Sequence, residues 1–241
     1  MTTLLIGDGY WGNIIKPKLQ SLTNLLYVAN SKSDLDELLK KDIDWVFICS
    51  TTETHYNILK KCIQYNKNVF CEKPFTGDFS KAKEIYQLSL NKVKIFVDNT
   101  FLYRTEFMNI DKKISNISFI WNKYDKNKES ILDRLLYHDI YMLLSLTSDE
   151  WEITKCSYTK DDLDMEMING NMISTFKYDR NYDGKEKRII IDGHVIDFSN
   201  PMNDPLQESI LKIINNQVDY EFNKKLTLST LSLTEKVKNI N

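Results

Sequence analysis

Through the first hundred residues, short apolar runs alternate with amphipathic stretches. The apolar runs at 4–6, 25–29, 45–49, 68–71 and 93–97 predict strands. The amphipathic stretches at 11–22, 33–41, 53–65 and 79–90 predict helices between them. The helix at 33–41 opens on Asp34 with Glu37 three positions later, a capping pattern. Strands that are continuously apolar, rather than alternating, are buried on both faces, which favours a parallel sheet between helix layers. Right-handed crossovers then give a Rossmann-type doubly wound α/β sheet.

The pattern changes near residue 100. After Ser115 the candidate strands alternate or come in consecutive pairs: 117–121, 152–158, 165–168, 172–178 and 188–198. Gly170, Gly184 and Gly193 fall between or within them, where hairpin turns need glycine. One long helix at 131–146 interrupts the series, and two more, from Asp204 and from Thr227, close the chain. The second half therefore reads as an α+β domain on a mainly antiparallel sheet. The expected division is 1–100 for the first domain and 101–241 for the second.

The 241 residues leave room for one large domain or two small ones at about 150 residues each. The 32 basic and 34 acidic residues are interleaved, so no one-signed patch predicts a nucleic-acid partner. Cys49 and Cys71 end apolar runs and read as small buried hydrophobes; with no CxxC pair, a reducing cytoplasm is the expected compartment. No apolar run approaches the ~18 residues of a membrane span, and the N-terminus runs into a strand without a signal-peptide pattern. No His, Cys, Asp and Glu grouping has metal-ligand spacing, so no metal is expected. His194, in a hairpin, reads as structural.

The chain holds only 7 glycines, and three of them fall within Gly7-Asp8-Gly9-Tyr10-Trp11-Gly12. This GxGxxG follows a strand and opens a helix. The first glycine allows the turn, the second lets a pyrophosphate approach, and the third lets helix and strand pack closely. The phosphates would sit on the helix N-terminus. The fingerprint also asks for an acidic residue about 20 positions on to hold the adenosine ribose. Here the second strand ends in Ala29-Asn30-Ser31-Lys32. Asn30 can hydrogen-bond a ribose, and Ser31 with Lys32 can accept a 2′-phosphate. The cofactor is therefore NAD or NADP, with NAD preferred. The fourth strand ends in Cys71-Glu72-Lys73-Pro74. Lys73 stands where doubly wound sheets keep their ligands, and Pro74 biases it away from helix. A desolvated lysine there can carry the proton that accompanies hydride transfer.

Ser50-Thr51-Thr52-Glu53-Thr54-His55-Tyr56, followed by Asn68-Val69-Phe70-Cys71-Glu72-Lys73-Pro74-Phe75, resembles the Gfo/Idh/MocA oxidoreductases. The glycine loop, Asn99-Thr100-Phe101-Leu102-Tyr103, His138-Asp139-Ile140-Tyr141-Met142-Leu143 and the helix from Asp204-Pro205-Leu206 resemble the same family, in order. The resemblance implies a nicotinamide-dependent oxidoreductase acting on a sugar, nucleotide sugar or polyol. Lys73 would be the acid/base and Glu72 its support near the nicotinamide. Gly7, Gly9, Tyr10, Trp11, Gly12, Ser50, Thr51, Thr52 and His55 would line the dinucleotide. His138 would be the second catalytic group, and Asn99, Tyr103 and His138 would contact the substrate. A homodimer or homotetramer through the C-terminal sheet is implied. A glycoside hydrolase working by transient oxidation and a non-catalytic dinucleotide- or sugar-binding protein are the alternative functions.

The sequence departs from the family pattern in three places. A helix and a strand are missing between Ala29 and Asp34, so the nucleotide half is shortened. Arg134 stands four residues before His138, where many members have Asp; Asp133, five before, would lie roughly 140° round an α-helix. Asn99 stands where many members have His, and an amide cannot shuttle a proton at neutral pH.

Overall fold

The structure is a computed structural model describing residues 1–110, 114–124, 130–147 and 150–240. In chain order the elements are β1 (Thr2–Ile6), α1 (Tyr10–Leu22), β2 (Asn24–Ala29), α2 (Leu35–Leu39), β3 (Trp45–Ile48), α3 (Thr52–Gln64), β4 (Asn68–Cys71), α4 (Phe79–Ser89) and β5 (Ile95–Val97). A 3₁₀ turn (Thr100–Tyr103) leads to the short α5 (Thr105–Met108) and to β6 (Asn116–Lys123). A π-helical stretch, Leu132–Leu136, runs into α6 (Tyr137–Leu146). Then come β7 (Glu152–Tyr158), β8 (Asp162–Asn169), β9 (Met172–Asp179), β10 (Lys185–Ile191), β11 (His194–Asp197), α7 (Pro205–Ile214) and α8 (Tyr220–Lys238). Two compact units result: Met1–Asn99 with Leu206–Leu228, and Thr100–Pro205 with Ser229–Asn241. Residues 206–228, which the sequence-based division placed in the second domain, thus pack in the first unit.

The first unit is built on a parallel sheet of order β2-β1-β3-β4-β5. Its inner strands β1, β3 and β4 are buried along almost their whole length, as their unbroken apolar runs require. Phe47, Phe70 and Phe96 stack across three neighbouring strands, with ring centroids 4.8 Å and 5.6 Å apart. The register pairs Ile6 with Ile48, Ile48 with Cys71, and Cys71 with Val97. The residues that follow these four strand ends therefore form one row: Gly7, Cys49-Ser50, Glu72 and Asp98. Every candidate cofactor residue belongs to this row, to the helix starts beyond it, or to the end of β2.

The two edges of this sheet differ. At β5, Asn223 of α8 puts its amide against the open backbone: Val97 N–H donates to its Oδ1 and its Nδ2 donates to the Val97 carbonyl, both at 2.9 Å. Trp45 stacks on Tyr220 of the same helix. At the other edge β2 leaves Leu26, Tyr27 and Val28 more than a third exposed. The helix begins at Tyr220 rather than at Thr227, because Asp219 caps it by accepting from Phe222 N–H at 2.9 Å. The polar first turns, Tyr220 to Lys225, weaken the apolar period that would mark the start.

The second unit carries a mixed sheet of order β11-β10-β6-β9-β8-β7. β6 and β9 run parallel, and the other pairs are antiparallel. The run at 188–198 resolves into two paired strands turning at Asp192 and Gly193, both at positive φ. Side chains alternate along β9, where Ser174, Phe176 and Tyr178 are buried. Among the described residues no helix is long and apolar enough to cross a membrane.

Replacing Asn223 by alanine should leave two backbone groups of Val97 buried without partners. We expect a loss of about 2–4 kcal/mol in unfolding free energy, measured by urea denaturation. A loss below ~1 kcal/mol would show that the β5 edge does not depend on this amide.

Candidate dinucleotide site and the His138 cluster

The glycine loop is set by backbone contacts. Gly7 has φ +108°, and a Cβ there would lie 2.7 Å from the Cys49 carbonyl. Gly12 sits over the same turn, where a Cβ would come within 1.9 Å of the Gly7 carbonyl oxygen. No side chain fits between, so α1 starts directly on the end of β1. Gly9, the N-cap of α1, differs: a Cβ there would meet nothing within 4 Å. The space in front of Gly9 is open, and α1 has no acidic residue in its first turn. An open backbone cradle at the positive end of a helix fits a pyrophosphate. Tyr10 and Trp11 are exposed and pack edge to face, 5.6 Å between centroids.

At the end of β2 the chain turns tightly into α2. Asn30 Oδ1 accepts from Lys32 N–H, and Asn30 N–H donates to Ser33 Oγ, each at 3.0 Å. Asn30 Nδ2 donates to Asp8 Oδ2 at 3.1 Å. Ser31 and Lys32 are exposed within this turn. Asp34 caps α2 by accepting from Asp36 and Glu37 N–H.

Beyond β3, Ser50 Oγ accepts from Thr54 Oγ1 at 2.7 Å, and Thr51 and Thr52 open α3 with Thr51 exposed. His55 is 1% exposed. Its ring spans two loops, with Nε2 3.0 Å from the Ser50 carbonyl and Nδ1 3.0 Å from the Pro74 carbonyl. Burial holds its pKa below the usual range, against the pull of those carbonyls. His55 is thus placed as a brace beneath the loops rather than as a side chain lining them.

Glu72, Lys73 and Pro74 follow β4. The Lys73–Pro74 peptide is cis and Lys73 is half-buried. Glu72 is 7% exposed and accepts from Lys73 N–H at 3.1 Å. Burial, then the neighbouring Asp98 carboxyl, pushes the Glu72 pKa up to about 8, against the opposing charge of Lys73. Burial likewise raises the thiols of Cys49 and Cys71, which stay protonated and unreactive. Asn99 is 1% exposed, and among the described residues neither atom of its amide has a hydrogen-bond partner.

In the second unit, the π-helical stretch alters the reading of the helix before His138. Hydrogen bonds from i to i+5 put residues five apart one turn apart, so the α-helical 140° does not apply. Asp133 is nevertheless engaged elsewhere, by Lys238 Nζ at 2.6 Å. His138 Nδ1 lies 2.9 Å from Tyr141 Oη, which accepts from Phe101 N–H at 3.1 Å. The imidazole stacks on Phe101, 4.2 Å between centroids. Asp139 is buried against Tyr178, whose hydroxyl donates to it at 2.6 Å. Burial raises the Asp139 pKa to about 6, while Lys187 and Tyr178 pull it down. Tyr103 is half-buried, and its carbonyl accepts from Asn203 Nδ2 at 2.8 Å. Two residues of this cluster escaped sequence reasoning. Tyr141 read only as part of an apolar helix. Lys187 lies just before the strand expected at 188–198, and its ammonium is 3.4 Å from the Trp121 ring centroid and 3.6 Å from that of Phe101. The only available signal was strand alternation, which turns Lys187 inward opposite Trp121.

The first unit thus combines a Rossmann-type parallel sheet, a glycine turn open in front of Gly9 and a Glu-Lys-Pro loop at the end of β4. Residues 13–99 match the family described as "Oxidoreductase family, NAD-binding Rossmann fold". Over those residues the chain is similar to the Gfo/Idh/MocA family. It is 39% identical over 61 residues to the oxidoreductase YhhX of Escherichia coli, a match covering 25% of this chain and 18% of YhhX. It is 32% identical over 76 residues to inositol 2-dehydrogenase of Rhizobium meliloti, covering 31% of this chain and 23% of that protein. The matches thus span about a fifth of these relatives' lengths. The structure of UDP-N-acetylglucosamine 3-dehydrogenase GnnA from Acidithiobacillus ferrooxidans has the same fold, with TM-score 0.87 and 17% identity over 98% of this chain and 96% of that one.

Glu72 makes the stability of the fold pH-dependent. Its folded pKa of about 8 exceeds its ordinary 4.5, so between those values the folded state keeps a proton that the unfolded state loses. Its contribution to stability is therefore lost as pH rises through that window, by up to about 1.4 kcal/mol per pH unit. Glu72→Gln should flatten the slope and gain on the parent as pH rises from 5 towards 8 (about the span of the shift). Parallel melting profiles would rule out a buried, protonated Glu72.

Proposed function

We propose that the chain is an NAD(P)-dependent oxidoreductase that moves a hydride between nicotinamide and a hydroxyl or keto carbon of a sugar or nucleotide sugar. The observation that carries this reading is one row of strand ends in a single sheet, holding both the open glycine cradle and the Glu72-Lys73-Pro74 loop. Gly7, Gly9 and Gly12, with the first-turn amides of α1, would hold the pyrophosphate. Ser50, Thr51 and Thr52 would line the adjoining stretch, in loops braced by His55. When bound, nicotinamide supplies the hydride donor or acceptor.

Lys73 is the group for the proton of the substrate hydroxyl. Glu72 keeps its own proton near neutral pH and so places little negative charge beside the lysine. That favours release of the lysine's proton compared with a fully ionised neighbour. His138, oriented by Tyr141, would hydrogen-bond a substrate hydroxyl. The buried amide of Asn99, without a partner among the described residues, offers a donor and an acceptor that a polyhydroxylated molecule would satisfy. A carbohydrate substrate is supported by the similarity to inositol 2-dehydrogenase and by the fold shared with UDP-N-acetylglucosamine 3-dehydrogenase.

Lys73→Ala should cut turnover by about 10²–10⁴-fold while leaving dinucleotide affinity largely intact. Turnover is followed as NADH absorbance across a panel of polyols, sugars and nucleotide sugars, and affinity by calorimetry. A fully active variant would sink the role of Lys73. Sugar release without net reduction of the dinucleotide would point instead to glycoside hydrolysis by transient oxidation.

A further inference from the structure

The end of β2 lacks the acidic residue that ordinarily receives the adenosine ribose hydroxyls, yet the structure brings a carboxylate to that place from another element. Asp8, in the glycine loop, accepts from Asn30 Nδ2 at 3.1 Å. The side chain of Asn30 is itself oriented: its oxygen is taken by Lys32 N–H, so its nitrogen faces Asp8. The turn behind it is locked by Asn30 N–H donating to Ser33 Oγ and by Ser33 N–H donating to the Asn30 carbonyl. Asp8 is exposed, and its other oxygen makes no hydrogen bond among the described residues. Gly7, directly before it, donates its N–H to the carbonyl of Ala29 at 2.9 Å, which ties the loop to the end of β2.

A carboxylate in a loop that cradles phosphates is electrostatically unfavourable unless it is turned away from them and has work of its own. Asn30 turns it towards β2. There an ionised carboxylate accepts two hydroxyl donors well and repels a dianionic phosphate. We propose that Asp8, held by Asn30, takes the place of the missing acid, binds the ribose diol and selects NAD over NADP. The proposal rests on the dinucleotide reading of the glycine loop. It makes Ser31 and Lys32 parts of a turn rather than a 2′-phosphate site.

The test is calorimetric titration of the full chain with NADH and with NADPH, for the parent, Asp8→Asn, Asn30→Ala and Lys32→Ala. Melting temperatures confirm that each variant is folded. The parent should bind NADH at least about tenfold more tightly than NADPH, the worth of one charge-assisted hydrogen bond. Asp8→Asn should weaken NADH by about the same factor without weakening NADPH, collapsing the preference. Asn30→Ala should shift the ratio the same way, and Lys32→Ala should leave it unchanged. If both dinucleotides bind and Asp8→Asn leaves their ratio unchanged, the assignment of Asp8 is overturned while the dinucleotide reading stands. A parent preference for NADPH that Lys32→Ala removes overturns it as well. If the parent binds neither, the reading of the glycine loop fails, and the assignment falls with it.

Discussion

The tightest constraint in the first unit is the contact between Gly12 and the carbonyl of Gly7, where even a methyl group would overlap the oxygen. It puts the first turn of α1 directly on the end of β1 and aims its unpaired amides over the sheet. Gly7 transmits the same constraint sideways, because its own missing Cβ lets β3 approach. The register of β1, β3, β4 and β5 then carries it along the sheet to Glu72 and Asp98. A one-residue slip anywhere in that row would move the glycine loop and the Lys73 loop out of line.

Burial and charge are balanced differently in the two units. In the first, two carboxyls are buried close together, and the outcome is retained protonation of Glu72. In the second, Asp139 shares its surroundings with the caged ammonium of Lys187 and the hydroxyl of Tyr178, and its rise is smaller. The first arrangement keeps a neutral acid beside a lysine. The second anchors α6 to β9 by a short hydrogen bond, next to His138, whose Nδ1 faces the Tyr141 hydroxyl.

Much of the first unit was legible because its signals are local. Unbroken apolar runs mark two-sided strands, and the cap at Asp34 and the glycine spacing lie within a few residues. The mainly antiparallel second sheet was legible from alternation, although the parallel β6–β9 pair at its centre leaves no mark in either strand. What could not be read joins distant positions. His55 turns from a ligand-lining residue into a brace only when the Pro74 carbonyl, 19 residues on, is placed against it. Asp8 gains its meaning from Asn30, 22 residues on. Lys187 is buried because its strand pairs with β6, and composition alone assigns such a lysine to solvent. The π-helical stretch is a backbone choice with no residue signature.

The amide of Asn223 has a consequence for how the protein behaves at high concentration. A sheet with two open edges can add strands at both and grow without limit. Here the last residue of one edge strand, Val97, is taken by a side chain that imitates a neighbouring strand, while β2 forms the other edge. A strand adding at β5 would have to displace that amide from Val97, a local guard against growth through this edge.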